Sequence, residues 1–261
     1  MYKIYVIILV FFSISVFSQE KDNDTTFIKF GGTKFIIIDE DDTSKTNDDK
    51  FRGHFAGLSM GLNLLSVNNT TNEQLGLVNS EVLQLNEVRS WEVNLDFYQH
   101  SFNLYKQHFG IVTGLGVKFN NYRFVNDNRI INTTDSVYAV IDTINNFYKS
   151  KLSISKIRIP LIFEWQNRIG RKHRLIYFSA GVYGSYDIVS YMKYNYKRDG
   201  QKIKEKFYDN YQLNPFQYGV IIKFAYGVFE LYAEYNMSEM FITDKAVPVN
   251  QFSFGFVLLD F

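Results

Sequence analysis

The 261-residue chain contains no cysteine. Disulfide bonds, thiolate metal sites and a cysteine nucleophile are therefore excluded. Proline is scarce, with three residues, and the formal net charge is only +1. A balance this close to neutral gives no reason to expect a nucleic-acid partner, and we predict none.

Long apolar runs are lacking beyond residue 18. Within residues 1–18, Lys3 supplies a positive charge, residues 4–16 are mostly apolar, and Ser18 is a small residue suited to a cleavage site. This is the pattern of a secretory signal peptide. The run is too short to span a bilayer as a helix, so a membrane anchor is the weaker alternative. We therefore predict export, with a mature protein that begins at Gln19.

Residues 19–50 form an acidic segment with nine Asp and Glu against five Lys. It contains two β-prone runs, TTFIKF and TKFIII, on either side of Gly31-Gly32, and a two-residue glycine turn is a hairpin signal. An isolated hairpin is marginal in water, so the segment either docks or stays solvated. We predict an acidic periplasmic leader with a hairpin; a plug or a docking strand is the alternative.

In the rest of the chain, apolar and polar residues alternate over many stretches. In residues 90–97, SWEVNLDF, every second residue is apolar and the residues between are polar or charged, and residues 229–238 repeat the pattern. A period of two predicts β-strands with one apolar and one polar face. In a soluble sandwich the apolar face forms the core, whereas in a membrane barrel it contacts lipid and the polar face lines the lumen.

From residue 51 onward the pattern predicts eight strands. They cover residues 51–65, 88–104, 109–124, 151–165, 175–192, 215–225, 229–238 and 250–261. Their connections alternate between long and short, as in outer-membrane barrels with long external loops and short periplasmic turns. Pro160 falls inside the fourth strand. Because proline cannot donate to the ladder and a closed barrel has no edge, we expect a bulge or a missing bond there.

Further features favour lipid on the apolar face. Trp91 and Trp165 are expected at opposite rims, as in an aromatic belt. The chain ends on alternate apolar residues, Val257, Leu259 and Phe261, like the C-terminal signal read during barrel assembly. The polar faces are rich in Gly and Ser and carry ten ionisable residues of both signs, which suits a narrow lumen. These ten residues are Glu92, Asp96, Lys118, Lys156, Arg158, Glu164, Asp187, Lys223, Glu230 and Glu234.

Candidate catalytic residues are few. A hydrolase needs a base, usually histidine, beside a nucleophile or an activated water. The expected topology places every histidine on the periplasmic side, away from external substrates, so we predict no enzyme, no metal site and no cofactor. The histidines are His54, His100, His108 and His173.

Two carboxylate pairs, Glu92/Asp96 and Glu230/Glu234, could hold a cation. Ion pairing with the lumen cations is the interpretation that we favour. The basic stretch 193–206 could contact lipopolysaccharide phosphates, although a solvated charged hairpin explains it equally well. Its Asp199-Gly200 dipeptide is a hairpin turn signal.

Four stretches resemble the PorT-like outer-membrane β-barrel family. They are GHFAGLSMGLN (53–63), GIVTGLGVKFNNYRF (110–124), KIRIPLIFEW (156–165) and YFSAGVYGSY (177–186). The resemblance covers about residues 51–261 and includes the proline-containing strand. It implies an outer-membrane barrel and brings no catalytic or ligand-binding residues. The family name comes from a component linked to type IX secretion.

We therefore predict an all-β protein, an eight-stranded antiparallel transmembrane β-barrel of the outer membrane. Residues 1–18 form the signal peptide, 19–50 the leader and 51–261 the barrel. The expected role is structural, anchoring or interaction-based. The alternatives are a narrow channel or type IX-like secretion subunit and, less favoured, a secreted soluble ligand-binding barrel. The expected partners are outer-membrane lipid and lipopolysaccharide, the barrel-assembly machinery during insertion, and an unidentified envelope protein.

Overall fold

The computed structural model describes residues 25–30, 33–38, 51–67, 84–125, 128–134, 136–141, 147–170, 174–198, 200–246 and 248–261. The chain divides into two compact units, Met1–Asp48 and Asp49–Phe261. In the first unit, β1 (Thr25–Phe30) pairs antiparallel with β2 (Thr33–Ile38). The signal peptide and the Gly31-Gly32 turn lie outside the described residues.

The second unit is built almost entirely from strands. They are β3 (Gly57–Val67), β4 (Trp91–Tyr105), β5 (Phe109–Arg123), β6 (Asn128–Asn132), β7 (Val137–Ile141), β8 (Phe147–Ile169), β9 (Arg174–Arg198), β10 (Gln201–Tyr208), β11 (Phe216–Tyr226), β12 (Phe229–Asn236) and β13 (Val249–Asp260). A short 3-10 helix, Glu87–Arg89, precedes β4. None of the described segments forms a helix with the length and hydropathy that a membrane crossing requires.

Eight of these strands close into an antiparallel ring. The order around the ring is β3, β4, β5, β8, β9, β11, β12 and β13, and β13 pairs again with β3. The long strand β9 pairs with β8 on one side and with two strands in succession on the other. On that other side, residues 176–186 pair with β11 and residues 191–198 pair with β10. Among the described strands, β6 and β7 pair only with each other. The predicted eight-stranded barrel is confirmed.

The burial of side chains identifies the face that meets lipid. On β4, Glu92, Asn94 and Asp96 are at most 3% exposed, although they are the polar members of the alternating pattern. On β8, the outward-facing Ile159 and Phe163 are 56% and 59% exposed. A soluble sandwich would bury the apolar face. An exposed apolar outer surface around a polar interior is the arrangement of a membrane barrel.

The two tryptophans mark the limits of the lipid-facing surface. Trp91 begins β4 at the long-loop end and lies in one row with Asn121 and Ser153, and Trp165 lies opposite Phe109 at the short-turn end. Ser153 and Trp165 are twelve residues apart on β8, which is about 40 Å along a strand. At a typical tilt this corresponds to roughly 30 Å along the barrel axis. We call the outward surface between these two rows the lipid band.

The structure corrects the predicted first strand. The strand begins at Gly57 rather than at residue 51. Residues 51–56 turn into the barrel interior, where backbone groups of Gly53, Phe55 and Ala56 bind the Gln99 side chain. Ala56, expected on the lipid face, is therefore buried.

Two register shifts explain where the alternation becomes irregular. Phe97 is an extra residue between the pairs Asp96–Gly116 and Tyr98–Leu115, so Phe97 and Tyr98 are both exposed. Leu258 is likewise extra, so Leu258 and Leu259 are both exposed, whereas Val257 precedes the bulge and lines the lumen rather than contacting lipid. A β-bulge inserts one residue and reverses the facing of every residue beyond it.

Pro160 produces a missing pairing rather than a bulge. The β5–β8 ladder is interrupted between Thr113–Leu161 and Gly116–Arg158 without a change of register. The Thr113 hydroxyl donates instead to the Pro160 carbonyl at 2.7 Å. On its other side β8 stays in register, with Pro160 opposite Tyr183.

Candidate functional site

The middle of the lumen holds a network of paired charges. Arg158 binds Asp96 through two bonds, Nε to Oδ1 at 2.8 Å and Nη2 to Oδ2 at 2.5 Å, and its Nη1 contacts Glu234. Lys118 contacts the same Glu234 and lies 3.0 Å from Glu92. All five side chains are buried. An unpaired charge in a dry interior is costly, and every charge in this network has at least one partner of opposite sign.

A second polar group lies nearer the long-loop end. Lys156 donates to Gln217 at 2.5 Å and to Gln251 at 3.2 Å, and it lies 3.5 Å from Asp187. Asn236 donates to both glutamine carbonyls, at 2.8 and 2.7 Å. These amides link the strands across the lumen and occupy the space that a channel would leave open.

The short-turn end is filled by residues 51–56, which we call the plug segment. The Gln99 side chain accepts from the amides of Phe55 and Ala56 at 2.8 and 2.9 Å and donates to the Gly53 carbonyl at 2.9 Å. The Phe55 ring packs against Gly114, where a methyl group would collide with it. One glutamine on β4 thus fixes three backbone groups of the plug segment.

His54 also fixes the plug segment. Its Nδ1 lies 2.7 Å from Glu164, and Lys223 donates to its backbone carbonyl while pairing with Glu230 at 2.8 Å. Ser179 donates to Glu164 at 2.9 Å. A serine nucleophile needs a base that takes its proton. Since Ser179 binds the carboxylate and not the imidazole, this trio resembles a catalytic triad only in composition.

His100 and His108 do not join this group, because both are exposed near the short turns. His173 lies outside the described residues. Within the described ranges, no group of three His, Asp or Glu side chains is arranged to hold a metal ion. Two cavities in the lumen measure about 10 Å³ each, which is room for roughly one water molecule apiece.

The long-loop end is closed by a hydrophobic core that the sequence did not predict. The hairpin β6–β7 docks there, since the Ile130 amide donates to the Tyr194 hydroxyl at 3.0 Å and the Val137 amide to the Lys245 carbonyl at 2.8 Å. Burial raises the pKa of Tyr211 in this core to about 12. We call this part the external head. Its buried residues are Tyr122, Phe124, Ile130, Val137, Phe147, Leu152, Ile154, Met192, Tyr194, Tyr196, Tyr211, Leu213, Met240, Phe241, Ala246 and Val249.

All ten ionisable residues predicted for the lumen lie there, and most of them pair with one another. Sequence reasoning missed the plug segment and the external head. The apolar runs at residues 130–131 and 137–141, within the long predicted loop, were the available signal for the head.

A closed ring with a polar interior and an apolar outer surface defines an integral outer-membrane β-barrel. A family model described as "Outer membrane protein beta-barrel domain" matches residues 98–241, more than half of the chain. The chain belongs to that family, which places it in the outer membrane.

The chain is also similar to a solved structure of another protein. Ail, the attachment invasion locus protein of Yersinia pestis, solved in complex with the heparin analogue sucrose octasulfate, is 13% identical with a TM-score of 0.29. The match covers 78% of this chain and 95% of Ail. No curated protein matches the chain.

Proposed function

We propose that the protein is a closed barrel with a structural or interaction role, in which the barrel anchors the external head and the head presents a fixed surface to a partner in the cell envelope. The observation that carries this proposal is the charge network around Arg158. Its side chain is held from both sides by Asp96 and Glu234. Moving it to open a path would leave buried carboxylates without partners, which is strongly unfavourable.

The ends of the lumen support the same conclusion. The plug segment fills the short-turn end, and the core of the external head covers the long-loop end. A narrow channel, the alternative role, would need both to move. We propose no catalytic role, because the Ser179 hydroxyl donates to the Glu164 carboxylate and not to the His54 imidazole.

Planar-bilayer recording tests the closed barrel. Purified refolded protein should give no steady conductance, while an open porin in the same bilayers gives normal openings. Stable single-channel openings of this protein would overturn the proposal and favour the channel.

Site-specific photo-crosslinking tests the interaction role. Exposed positions on the external side, Val125 and Tyr208, should crosslink to an envelope protein in native membranes. Val228, in a short periplasmic turn, and Phe163, in the lipid band, serve as matched exposed controls. Protein crosslinks confined to Val228 would contradict a partner at the head and favour a periplasmic secretion complex.

We further infer that the protein is a PorT-like member of the outer-membrane barrels. The support is the four glycine-rich alternating stretches and the proline-containing strand, whose local pairing defect the barrel accommodates at Pro160. We also propose that the barrel-assembly machinery inserts the chain. The exposed apolar outer surface of the closed ring supports this.

A further inference from the structure

Four basic residues on neighbouring strands form one lateral row on the outer surface. Arg123 of β5 lies opposite Lys151 of β8, Lys151 lies opposite Lys193 of β9, and Lys193 lies opposite Lys206 of β10. Adjacent strands are about 4.8 Å apart, so the row extends over roughly 14 Å. We call these four residues the basic row.

Two more lysines extend the basic row away from the membrane. Lys149 of β8 and Lys204 of β10 both lie opposite Asn195 of β9, two residues beyond the basic row. None of the salt bridges found among the described residues includes any of these six cations. Within the part of the chain that the structure describes, and unlike the lumen cations, they have no carboxylate at ion-pair distance.

The local electrostatics agree with a shortage of negative charge. Burial, reinforced by neighbouring cations, lowers the pKa of Lys151 to about 8. Those neighbours are Lys149, Lys193, Lys206 and Arg123. Burial and Lys193 also lower the pKa of Lys149, and burial and Arg89 lower that of Arg123. A bound anion would relieve this repulsion.

The height of the basic row indicates where the anion comes from. Arg123 and Lys151 lie two residues beyond Asn121 and Ser153, the row that marks the outer limit of the lipid band. The Lys151 ammonium donates to Asn121 at 2.5 Å and lies 5.9 Å from the centre of the Trp91 ring. Tryptophan belts lie at the level of the lipid headgroups. Outward-facing cations immediately above the belt therefore meet the headgroups of the outer leaflet.

We propose that the basic row, with Lys149 and Lys204, binds the phosphate groups of a lipopolysaccharide molecule that lies against β5, β8, β9 and β10. The Nη2 of Arg123 donates to the Tyr148 carbonyl at 2.9 Å, and the remaining N–H groups of its guanidinium are available for one phosphate. The lysines act as point charges for the others. A row of roughly 14 Å can contact two phosphates carried by a disaccharide headgroup. The inference rests on the proposed function only in placing the external head on the outer side of the membrane.

The experiment uses the full mature chain in phosphatidylcholine nanodiscs, titrated with lipopolysaccharide carrying a phosphorylated or an enzymatically dephosphorylated headgroup. The phosphorylated form should bind at least about tenfold more tightly, as expected for charge-assisted hydrogen bonds. The double variant Lys151→Gln/Lys193→Gln should lose that preference. Equal affinity for the two headgroups would overturn the inference.

The matched control removes the same charge elsewhere. Lys106→Gln/Arg168→Gln changes two exposed cations at the short-turn end and should leave the preference intact. An equal loss in both doubles would show a general charge effect and overturn the site. If Lys151→Gln/Lys193→Gln fails to fold, the single variant Lys206→Gln, at an exposed position of the basic row, replaces it and should weaken the same preference.

Two competitors distinguish the source of the phosphate. Millimolar inorganic phosphate should displace the glycolipid only weakly, and full displacement would identify free phosphate as the ligand and overturn the lipid assignment. A sulfated polysaccharide that bound more tightly than the glycolipid would overturn it too. Conductance recording is independent of these titrations. A protein that gives no conductance and shows no preference for the phosphorylated headgroup therefore refutes only this inference and not the closed barrel.

Discussion

Arg158 and Asp96 form their ion pair across a glycine. The two residues belong to β8 and β4, and β5 runs between these strands with Gly116 opposite both of them. A methyl group at Gly116 would overlap the Oδ1 atom of Asp96. The missing side chain on the middle strand is what lets the outer two side chains meet.

Gly116→Ala should therefore separate a buried ion pair. Breaking such a pair costs about 3–5 kcal/mol. We expect a loss of that order in the free energy of unfolding, measured by urea titration in lipid vesicles. Gly184→Ala is the control, because a methyl group there meets only Phe216 at the ordinary distance of 3.6 Å. Similar losses for the two variants would show that the ion pair is not the cause.

Ile159→Arg tests the lipid band at its middle, six residues from both Ser153 and Trp165. An arginine on the lipid face near the bilayer midplane costs roughly 2–4 kcal/mol. Val125→Arg is the control, since Val125 is similarly exposed, at 50% against 56%, but lies beyond the band. Folding yield in vesicles should fall for the first variant alone. If both variants fold as well as the parent protein, Ile159 does not face lipid.

Gln99→Leu should release the plug segment. The substitution leaves the amides of Phe55 and Ala56 and the carbonyl of Gly53 without their partner, and each unpaired buried group costs about 1–3 kcal/mol. Hydrogen exchange at residues 51–56 should accelerate by at least tenfold. Asn103→Leu, at an exposed position on the same strand, should leave the exchange unchanged. Unaltered exchange in Gln99→Leu would mean that other contacts hold the segment.

Stability should rise with pH in the range where Lys151 titrates. Its pKa falls from 10.5 to about 8 on folding. Between these values the unfolded chain binds more protons than the folded one, so the free energy of unfolding increases from pH 8 towards pH 10. Urea titrations at pH 7.5 and 9.5 should show a smaller increase in Lys151→Gln than in Lys197→Gln. An equal increase in the two variants would refute the assignment to Lys151.

The N-terminus of the mature protein should be Gln19. The prediction rests on Lys3, the apolar stretch 4–16 and Ser18. N-terminal sequencing of protein from the outer-membrane fraction measures it directly. An intact Met1 in that fraction would show that the stretch is not a cleaved signal.

The parts of the fold that depend on local alternation were predictable. SWEVNLDF specifies a two-faced strand by itself, and the composition of the polar face indicated the lumen. The bulges at Phe97 and Leu258 were not predictable, because an extra residue in one strand is defined only by its partner strand. The pairing of Arg158 with Asp96 depends on the register of three strands, which the sequence of each strand alone does not contain.

The external head escaped prediction for a related reason. Its core gathers residues such as Ile130, Met192 and Phe241 from segments far apart in the chain. Each of these segments is short, and the sequence of one segment does not show which of the others it packs against. The alternation predicts residues 51–56 as the start of the first strand, with Ala56 on its apolar face, whereas the burial of these residues depends on Gln99, more than forty residues away.

Ring closure removes the sheet edges of the barrel, yet β10 restores one. Among the described residues, β10 pairs on one side only, with β9. An unpaired strand edge can template pairing with another chain, and lysines along it oppose such pairing. Lys202, Lys204 and Lys206 occupy every second position of this edge. Two copies meeting edge to edge at β10 would bring six ammonium groups together. Charge repulsion therefore opposes self-assembly at this strand, whereas ring closure prevents it in the barrel.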